Sequence, residues 1–118
     1  MDVETIRGYC IDKQGVTEDF PFDESSLAFR VEGKIFAMID LVDTQWLCLK
    51  CNPAYAIELR ESYDAIQGAW HWNKKYWNQL DHERLPQSLV CQLIDHSYEE
   101  VLRSLPRKIR NEYGLNDK

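Results

Sequence analysis

The stretch Gly68-Ala-Trp-His-Trp-Asn-Lys-Lys-Tyr-Trp-Asn78 contains three of the four tryptophans in the chain and a pair of adjacent lysines. Tryptophans mostly fill cores and interfaces, so the stretch predicts a structural clasp between a sheet and its neighbouring helices. We assign this clasp to Asn73 and Trp77. The charged ends of Lys74 and Lys75 are then the part of the stretch that can serve as a functional surface.

The length and composition predict one compact domain over residues 1–118. A chain of 118 residues can bury enough surface to keep a core without disulfides or metals. Hydrophobic residues at 44% and charged residues at 29% are ordinary globular values and argue against disorder. No apolar run approaches the roughly 20 residues that cross a bilayer, and the N-terminal residues do not resemble a secretion signal. We therefore expect a cytoplasmic protein without a membrane partner.

The charge distribution is uneven along the chain. Twenty acidic residues against fourteen basic ones give a net charge of −6, which repels nucleic acid at long range. Residues 103–118 differ, because they include five Lys or Arg residues and two acidic ones. Any anion-binding surface must therefore be local, and its candidates in this segment are Arg107, Lys108 and Arg110.

The four cysteines are expected to be reduced and structural, since no secretion signal precedes them. Cys48-Leu-Lys-Cys51 has the spacing of half a zinc site or of a redox pair, but no second pair of cysteines or histidines follows. If residues 46–50 form a strand, positions three apart point to opposite faces and the two thiols diverge. We expect no metal and no cofactor.

The N-terminal part of the chain predicts a helix followed by a loop. Asp2 is a suitable N-cap, and the apolar spacing after it indicates a helix that ends near residues 13–15. Residues 16–23 are predicted to be a loop. Pro21 favours an extended backbone at Phe20, and Phe20 and Phe22 are expected to be buried anchors of this loop.

Two strands and a turn are the clearest pattern in the sequence. Apolar residues alternate over residues 27–31 and 34–40, and Glu32-Gly33 between them indicates a hairpin turn. A third strand over residues 46–50 is apolar on both faces, as is the second. Either other segments of the chain cover the second face, or it is an interaction surface.

Helices and short strands complete the order. Asn52-Pro53 predicts the start of a helix over residues 53–62, with Arg60 and its acidic neighbours outward. A loop or a short strand is expected at residues 65–70, and another short strand at residues 77–80. The remaining predicted elements are a helix opened by Pro86, a new helix start at the capping box Ser97-Tyr98-Glu99-Glu100, and a last helix over residues 106–113.

The resulting order, α-β-β-β-α-β-β-α-α, predicts a two-layer α+β fold with a mainly antiparallel sheet. No arrangement for catalysis is apparent in it. Asp95-His96-Ser97 combines suitable side chains, but consecutive residues on a helix diverge. The three histidines have no metal-ligand spacing. We therefore expect a protein that is not an enzyme.

The chain resembles the MmcQ/YjbR-like family of small bacterial proteins over almost its full length. The resemblance rests on Phe20-Pro-Phe22, Lys34-Ile-Phe-Ala-Met38, Leu49-Lys50 with Pro53, His71-Trp-Asn-Lys-Lys-Tyr-Trp77, Leu80-Asp81 with Leu85-Pro86, and Ser97-Tyr98. Two positions depart from the family pattern, Tyr76 where a histidine is frequent and His82 where a glycine is frequent. The second departure suggests a different turn.

This resemblance implies a fold similar to type III secretion chaperones and to frataxin-like proteins. Family members are called DNA-binding proteins with a double-wing arrangement. Carried over to this chain, the resemblance points to Asn73, Lys74, Lys75 and Trp77, together with Lys50.

Three functional hypotheses follow. The first is a non-enzymatic DNA-binding protein in which Lys74, Lys75 and the basic C-terminal segment contact phosphates. The second is a protein-interaction or dimerising module that associates through Phe36, Met38 and Trp46. The third is a small-molecule site beneath the tryptophans, which requires a cleft with convergent polar groups.

Overall fold

A six-stranded antiparallel sheet with helices packed on one face forms the structure, a computed structural model that describes residues 1–115. The predicted α+β class and the mainly antiparallel sheet are confirmed. The strands lie in the order β1-β2-β3-β4-β6-β5. Along the chain the elements are α1 (Val3–Ile11), β1 (Val16–Asp19), β2 (Ser26–Val31), β3 (Lys34–Asp40), β4 (Trp46–Lys50), α2 (Pro53–Ser62), β5 (Ile66–Gly68), β6 (Trp77–Asp81), a 3₁₀ turn (His82–Arg84), α3 (Gln87–Arg103) and α4 (Arg107–Glu112).

Strand β1 lies where the sequence predicted only a loop. Four residues of that segment pair with β2, and Asp19 binds the guanidinium of Arg30 on this neighbouring strand at 2.9 Å. The segment has a single apolar residue, so it shows no alternation from which a strand could be predicted. The expected burial of Phe20 and Phe22 is also wrong, because their side chains are 47% and 62% exposed.

A β-bulge in the predicted hairpin changes the orientation of one aromatic side chain. Phe29 pairs with Ala37 and Arg30 pairs with Ile35, so Phe36 has no partner of its own. The extra residue turns the fully buried Phe36 ring into the helix layer, 5.5 Å from the Tyr98 ring. The prediction that Phe36 shares a face with Met38 is therefore wrong.

The core lies between the sheet and the helices. Leu47 and Leu80 are paired on β4 and β6 and face the helix layer, as do Ile39 and Ile66 on the strands beside them. Helix α3 contributes most of the opposing apolar surface, with α1 and α2 beside it. The buried apolar residues of these three helices are Ile6, Cys10, Ala56, Leu59, Val90, Leu93, Ile94, Val101 and Leu102.

Ser97 ties α3 to the sheet. The predicted helix start at this residue is wrong, since α3 continues from Gln87 to Arg103 and buries Ser97 completely. The Ser97 hydroxyl accepts a hydrogen bond from the Lys50 amide at 2.9 Å and donates one to the Phe36 carbonyl at 2.5 Å. Continuing the β3–β4 register by one pair places Phe36 opposite Lys50, so the hydroxyl bridges two backbone groups at the end of the ladder.

Replacing Ser97 with alanine is expected to destabilise the protein by about 2 kcal/mol, because a buried amide and a buried carbonyl lose their shared partner. Urea unfolding followed by tryptophan fluorescence measures the difference. Ser88→Ala, an exposed serine of the same helix, is the matched control. Equal stability of the two variants would contradict the bridging role.

Candidate functional site

The outer face of the sheet, opposite the helices, is covered by the tryptophan-rich loop of residues 69–76. Trp72 packs on Trp77 of β6 with ring centroids 4.2 Å apart, and Trp70 lies 6.4 Å from Trp46 of β4. Phe22 adds an edge contact to Trp72 at 6.0 Å. Rings on the loop and on the strands beneath it thus form a clasp. The prediction that these rings join the sheet to its neighbouring helices is wrong, because they lie on the face of the sheet away from the helices.

Backbone and side-chain hydrogen bonds fix the shape of the 69–76 loop. The amide of Ala69 donates to the carbonyl of Trp77 at 3.1 Å and closes the base of the loop. The Asn73 side chain accepts a hydrogen bond from the Lys75 amide at 3.0 Å, and the Asn73 carbonyl accepts one from the Tyr76 amide at the same distance. Asn73 therefore forms the turn that presents the two lysines.

Arg60 of α2 holds the loop from the helix side. Its guanidinium donates to the Asn78 side chain at 2.6 Å and also to the carbonyl of Lys74. Asn78 is 1% exposed, and its amide group donates to the carbonyl of Ala56 at 3.3 Å. The prediction that Arg60 points outward is wrong. Helical spacing alone indicated an outward charge, and no local signal linked Arg60 to a strand eighteen residues later.

The lysine pair lies beside two exposed aromatic rings. The Lys74 stem packs against Gly68, where a Cβ atom would come within 3.1 Å of it, and its ammonium donates to the Trp70 carbonyl at 3.4 Å. The Lys75 ammonium is 5.5 Å from the centre of the Tyr76 ring. Trp70 is 60% exposed and Tyr76 is 38% exposed. Among residues 1–115, neither lysine forms an ion pair with a carboxylate.

The six cations predicted to bind DNA fall into two groups. Lys50 is opposite Trp77 in the sheet and therefore lies at the same end of the outer face as Lys74 and Lys75. The other three, Arg107, Lys108 and Arg110, are on α4. Tyr113, which follows α4, lies 6.5 Å from Tyr98 in the helix layer. The described contacts therefore place the second group in the other layer.

A cleft of about 230 Å³ opens between the 69–76 loop and the outer face. Its lining includes Trp46, Trp70 and Trp72, here called its walls, and two carboxylate residues, Asp40 and Asp43, here called its rim. Met38, Cys48, Gln79, Ser26 and His71 complete the lining. An adjoining cleft of about 360 Å³ continues past Trp72 to Phe22 and Asp23.

Gln79 is the polar residue at the centre of this arrangement. The side chain is 4% exposed, and its oxygen accepts a hydrogen bond from the Trp70 amide at 3.2 Å. Its amide nitrogen Nε2 is buried without a hydrogen-bond partner. Sequence reasoning missed Gln79, because an isolated glutamine in a short strand carries no signal.

The CxxC cysteines lie on opposite sides of the sheet, as predicted. Cys48 lines the outer cleft, whereas Cys51 belongs to the core between sheet and helices. Burial raises the pKa of the Cys48 thiol to about 11 and that of the Cys51 thiol to about 12. Residues 1–115 contain no group of three or more His, Cys, Asp or Glu side chains that could hold a metal ion.

The Asp95-His96-Ser97 side chains diverge, as predicted. Asp95 accepts hydrogen bonds from Tyr9 and Lys13, and His96 accepts one from the Asn52 amide at 3.1 Å. Ser97 points into the sheet. These three residues therefore contribute to structure in three separate places.

Comparison with known proteins identifies the family. The sequence model of the YjbR family matches residues 11–100. The chain belongs to the YjbR family. The matched range includes the 69–76 loop, Lys50 and Ser97, and it ends before α4 and its three cations.

Two curated relatives of this YjbR-family protein are described as uncharacterized. They are the YjbR proteins of Escherichia coli K12 and O157:H7, each 29% identical over 112 residues, which is 93% of this chain and 95% of each relative. Among solved structures, Deinococcus radiodurans DR2400, described as a DUF419 domain, is similar with a TM-score of 0.88 and 31% identity, covering 98% of this chain and 90% of that one.

A second solved structure agrees in fold. The Pseudomonas syringae protein PsR293 is similar with a TM-score of 0.68 and 22% identity, over 82% of this chain and 96% of that one. In residues 1–115 no helix has the length and apolar character to pass through a membrane.

Replacing Arg60 with alanine is expected to loosen the 69–76 loop, because the guanidinium is the contact that joins the loop to α2. Hydrogen–deuterium exchange should show at least about tenfold faster exchange at the Trp72 and Tyr76 amides. Glu61→Ala, at the neighbouring exposed position, is the control. Unchanged protection of both amides would refute the role of Arg60.

The buried thiols are expected to react slowly with iodoacetamide at pH 8. The rise in the pKa of Cys51 from 9.0 to about 12 lowers its thiolate fraction about 1,000-fold at that pH. Mass spectrometry after a short labelling pulse should find Cys51 unmodified in the native protein and modified in urea. Labelling at the unfolded rate in the native state would contradict this.

Proposed function

We propose that the protein is a non-enzymatic DNA-binding protein that uses the 69–76 loop. Lys74 and Lys75 contact phosphates, Lys50 adds a third positive charge, and Trp70 and Tyr76 provide rings for base stacking. One observation carries the proposal. Two lysines without a carboxylate partner in the described chain lie beside two exposed aromatic rings on a single hydrogen-bonded loop.

Single-stranded DNA suits this surface better than duplex DNA. An aromatic ring stacks on the face of a base, and base faces are more accessible in a flexible single strand than in a paired duplex. Trp70 exposes more than half of its surface and is held by a contact to Trp46, so it is available as a fixed platform. Stacking on such a ring contributes about 1–3 kcal/mol per base.

Helix α4 has a smaller part in this proposal. The guanidinium of Arg110 donates to the carbonyl of Leu105 at 3.1 Å, and α4 lies on the helix side of the sheet. The net charge of −6 also opposes DNA at long range. Binding should therefore be strongest at low salt and should depend on the loop cations.

The alternative, a dimer through Phe36, Met38 and Trp46, loses support from the position of Phe36. That ring is completely buried on the helix side of the sheet, so a partner cannot reach it. Met38 also lines the cleft beneath the loop. Light scattering at high protein concentration tests the alternative, for which a stable dimer is the supporting result.

Removing the lysine pair is expected to weaken single-strand binding and its salt dependence. Each phosphate contact on a single strand contributes a slope of about 0.7, so Lys74→Ala with Lys75→Ala should reduce the slope of log affinity against log salt by about 1.4. Fluorescence anisotropy with a labelled oligo-dT and a duplex of equal length measures both affinities. Absence of binding at low salt would overturn the proposal.

Two further variants separate local contacts from net charge. Arg84→Ala with Arg103→Ala removes two exposed positive charges outside the loop and should leave the slope unchanged. Trp70→Ala should lower the affinity for oligo-dT about 5- to 150-fold without a change in slope, because it removes stacking and no charge. Equal losses in the lysine variant and its charge control would count against a site on the loop.

A further inference from the structure

We propose that the cleft beneath the 69–76 loop binds a small organic cation that also carries a hydroxyl or carbonyl oxygen. Its three tryptophan walls, its two rim carboxylates and its unpartnered glutamine nitrogen are complementary to such a molecule. Trp70 lines this cleft and also belongs to the proposed DNA surface, whereas Lys74 and Lys75 of that surface do not line the cleft.

The aromatic walls fit a compact positive group. Trp46 and Trp70 meet at an angle of 48°, with centroids 6.4 Å apart, and Trp72 also lines the cleft. The faces of indole rings attract alkylammonium and guanidinium groups, and cages of aromatic rings recognise quaternary ammonium ligands. The volume of about 230 Å³ limits the ligand to a small molecule or to one end of a longer one.

The rim supplies the opposite charge. One carboxylate oxygen of Asp40 accepts a hydrogen bond from the Val42 amide at 2.8 Å. This bond orients the side chain and leaves the second oxygen available to a ligand. In the same way, Asp43 accepts a hydrogen bond from the Gln45 amide at 3.4 Å. Within residues 1–115 neither carboxylate forms an ion pair. A cation in the cleft would therefore meet two negative groups without competing with a lysine or arginine.

Gln79 provides the second, independent indication of a ligand. The Trp70 amide fixes the orientation of its side-chain amide, so the nitrogen Nε2 and not the oxygen is left without a partner. A buried donor without an acceptor is unfavourable. Gln79 lines the cleft, although its nitrogen has almost no accessible surface in this structure. A small movement of the side chain on binding would let an oxygen atom of the ligand accept a hydrogen bond from this nitrogen.

Choline is a suitable probe, because it combines a quaternary ammonium group with a hydroxyl. Its neutral isostere 3,3-dimethyl-1-butanol keeps the shape and the hydroxyl, and tetramethylammonium keeps the charge without the oxygen. Isothermal titration and tryptophan fluorescence should show choline binding at least about tenfold more tightly than either.

Protein variants locate the binding site. Asp40→Asn with Asp43→Asn should lower choline affinity at least about tenfold. The asparagine side chains can still accept the hydrogen bonds from the Val42 and Gln45 amides, so the turns are kept. Asp12→Asn with Asp64→Asn removes two exposed carboxylates elsewhere and should have no effect. Circular dichroism establishes that both variants are folded.

Three results would overturn the inference. They are equal binding of choline and its neutral isostere, equal losses in the two aspartate variants, and no binding of choline at tens of millimolar. The DNA proposal is tested separately by Lys74→Ala with Lys75→Ala, which removes positive charge from two residues that do not line the cleft. Loss of negative charge at the rim should leave the salt slope of DNA binding unchanged.

Discussion

The central strands of the sheet are apolar on both faces, so both faces must be kept from water. In β4, Leu47 and Leu49 face the helices while Trp46 and Cys48 face outward. Helices cover the first face. A loop of eight residues lies over part of the second, and a cleft is left beneath it. The candidate sites follow from this unequal cover.

The loop is held at several points, which makes it a suitable platform for binding. Trp72 stacks on Trp77, Asn73 closes the turn, and Arg60 reaches from α2 to the loop backbone. A site whose rings and charges are fixed before a ligand arrives loses less conformational freedom on binding. The same contacts explain why the tryptophans have a structural role even where their outer surfaces remain available.

Local patterns predicted the parts of the fold that depend on neighbouring residues. The hairpin turn at Glu32-Gly33 and the helix after Asn52 were found because their signals are adjacent in sequence. The burial of Phe36 depends on a bulge, and the role of Gln79 depends on a strand pairing between distant segments. Neither can be read from periodicity. The lysine and tryptophan residues of the loop were predicted. The acidic rim was not, because Asp40 and Asp43 are distant from Trp70 in sequence and line the same cleft only in the folded sheet.

The two outer strands of the sheet have a consequence for how copies of this protein behave beside one another. An unpaired strand edge is a template for pairing with another chain, which is a route to aggregation. Strand β1 is four residues long and carries Glu18 and Asp19, and β5 is three residues long and ends in Gly68. Short length therefore protects both edges, negative charge adds protection at β1, and crowded copies should resist growth into extended sheets.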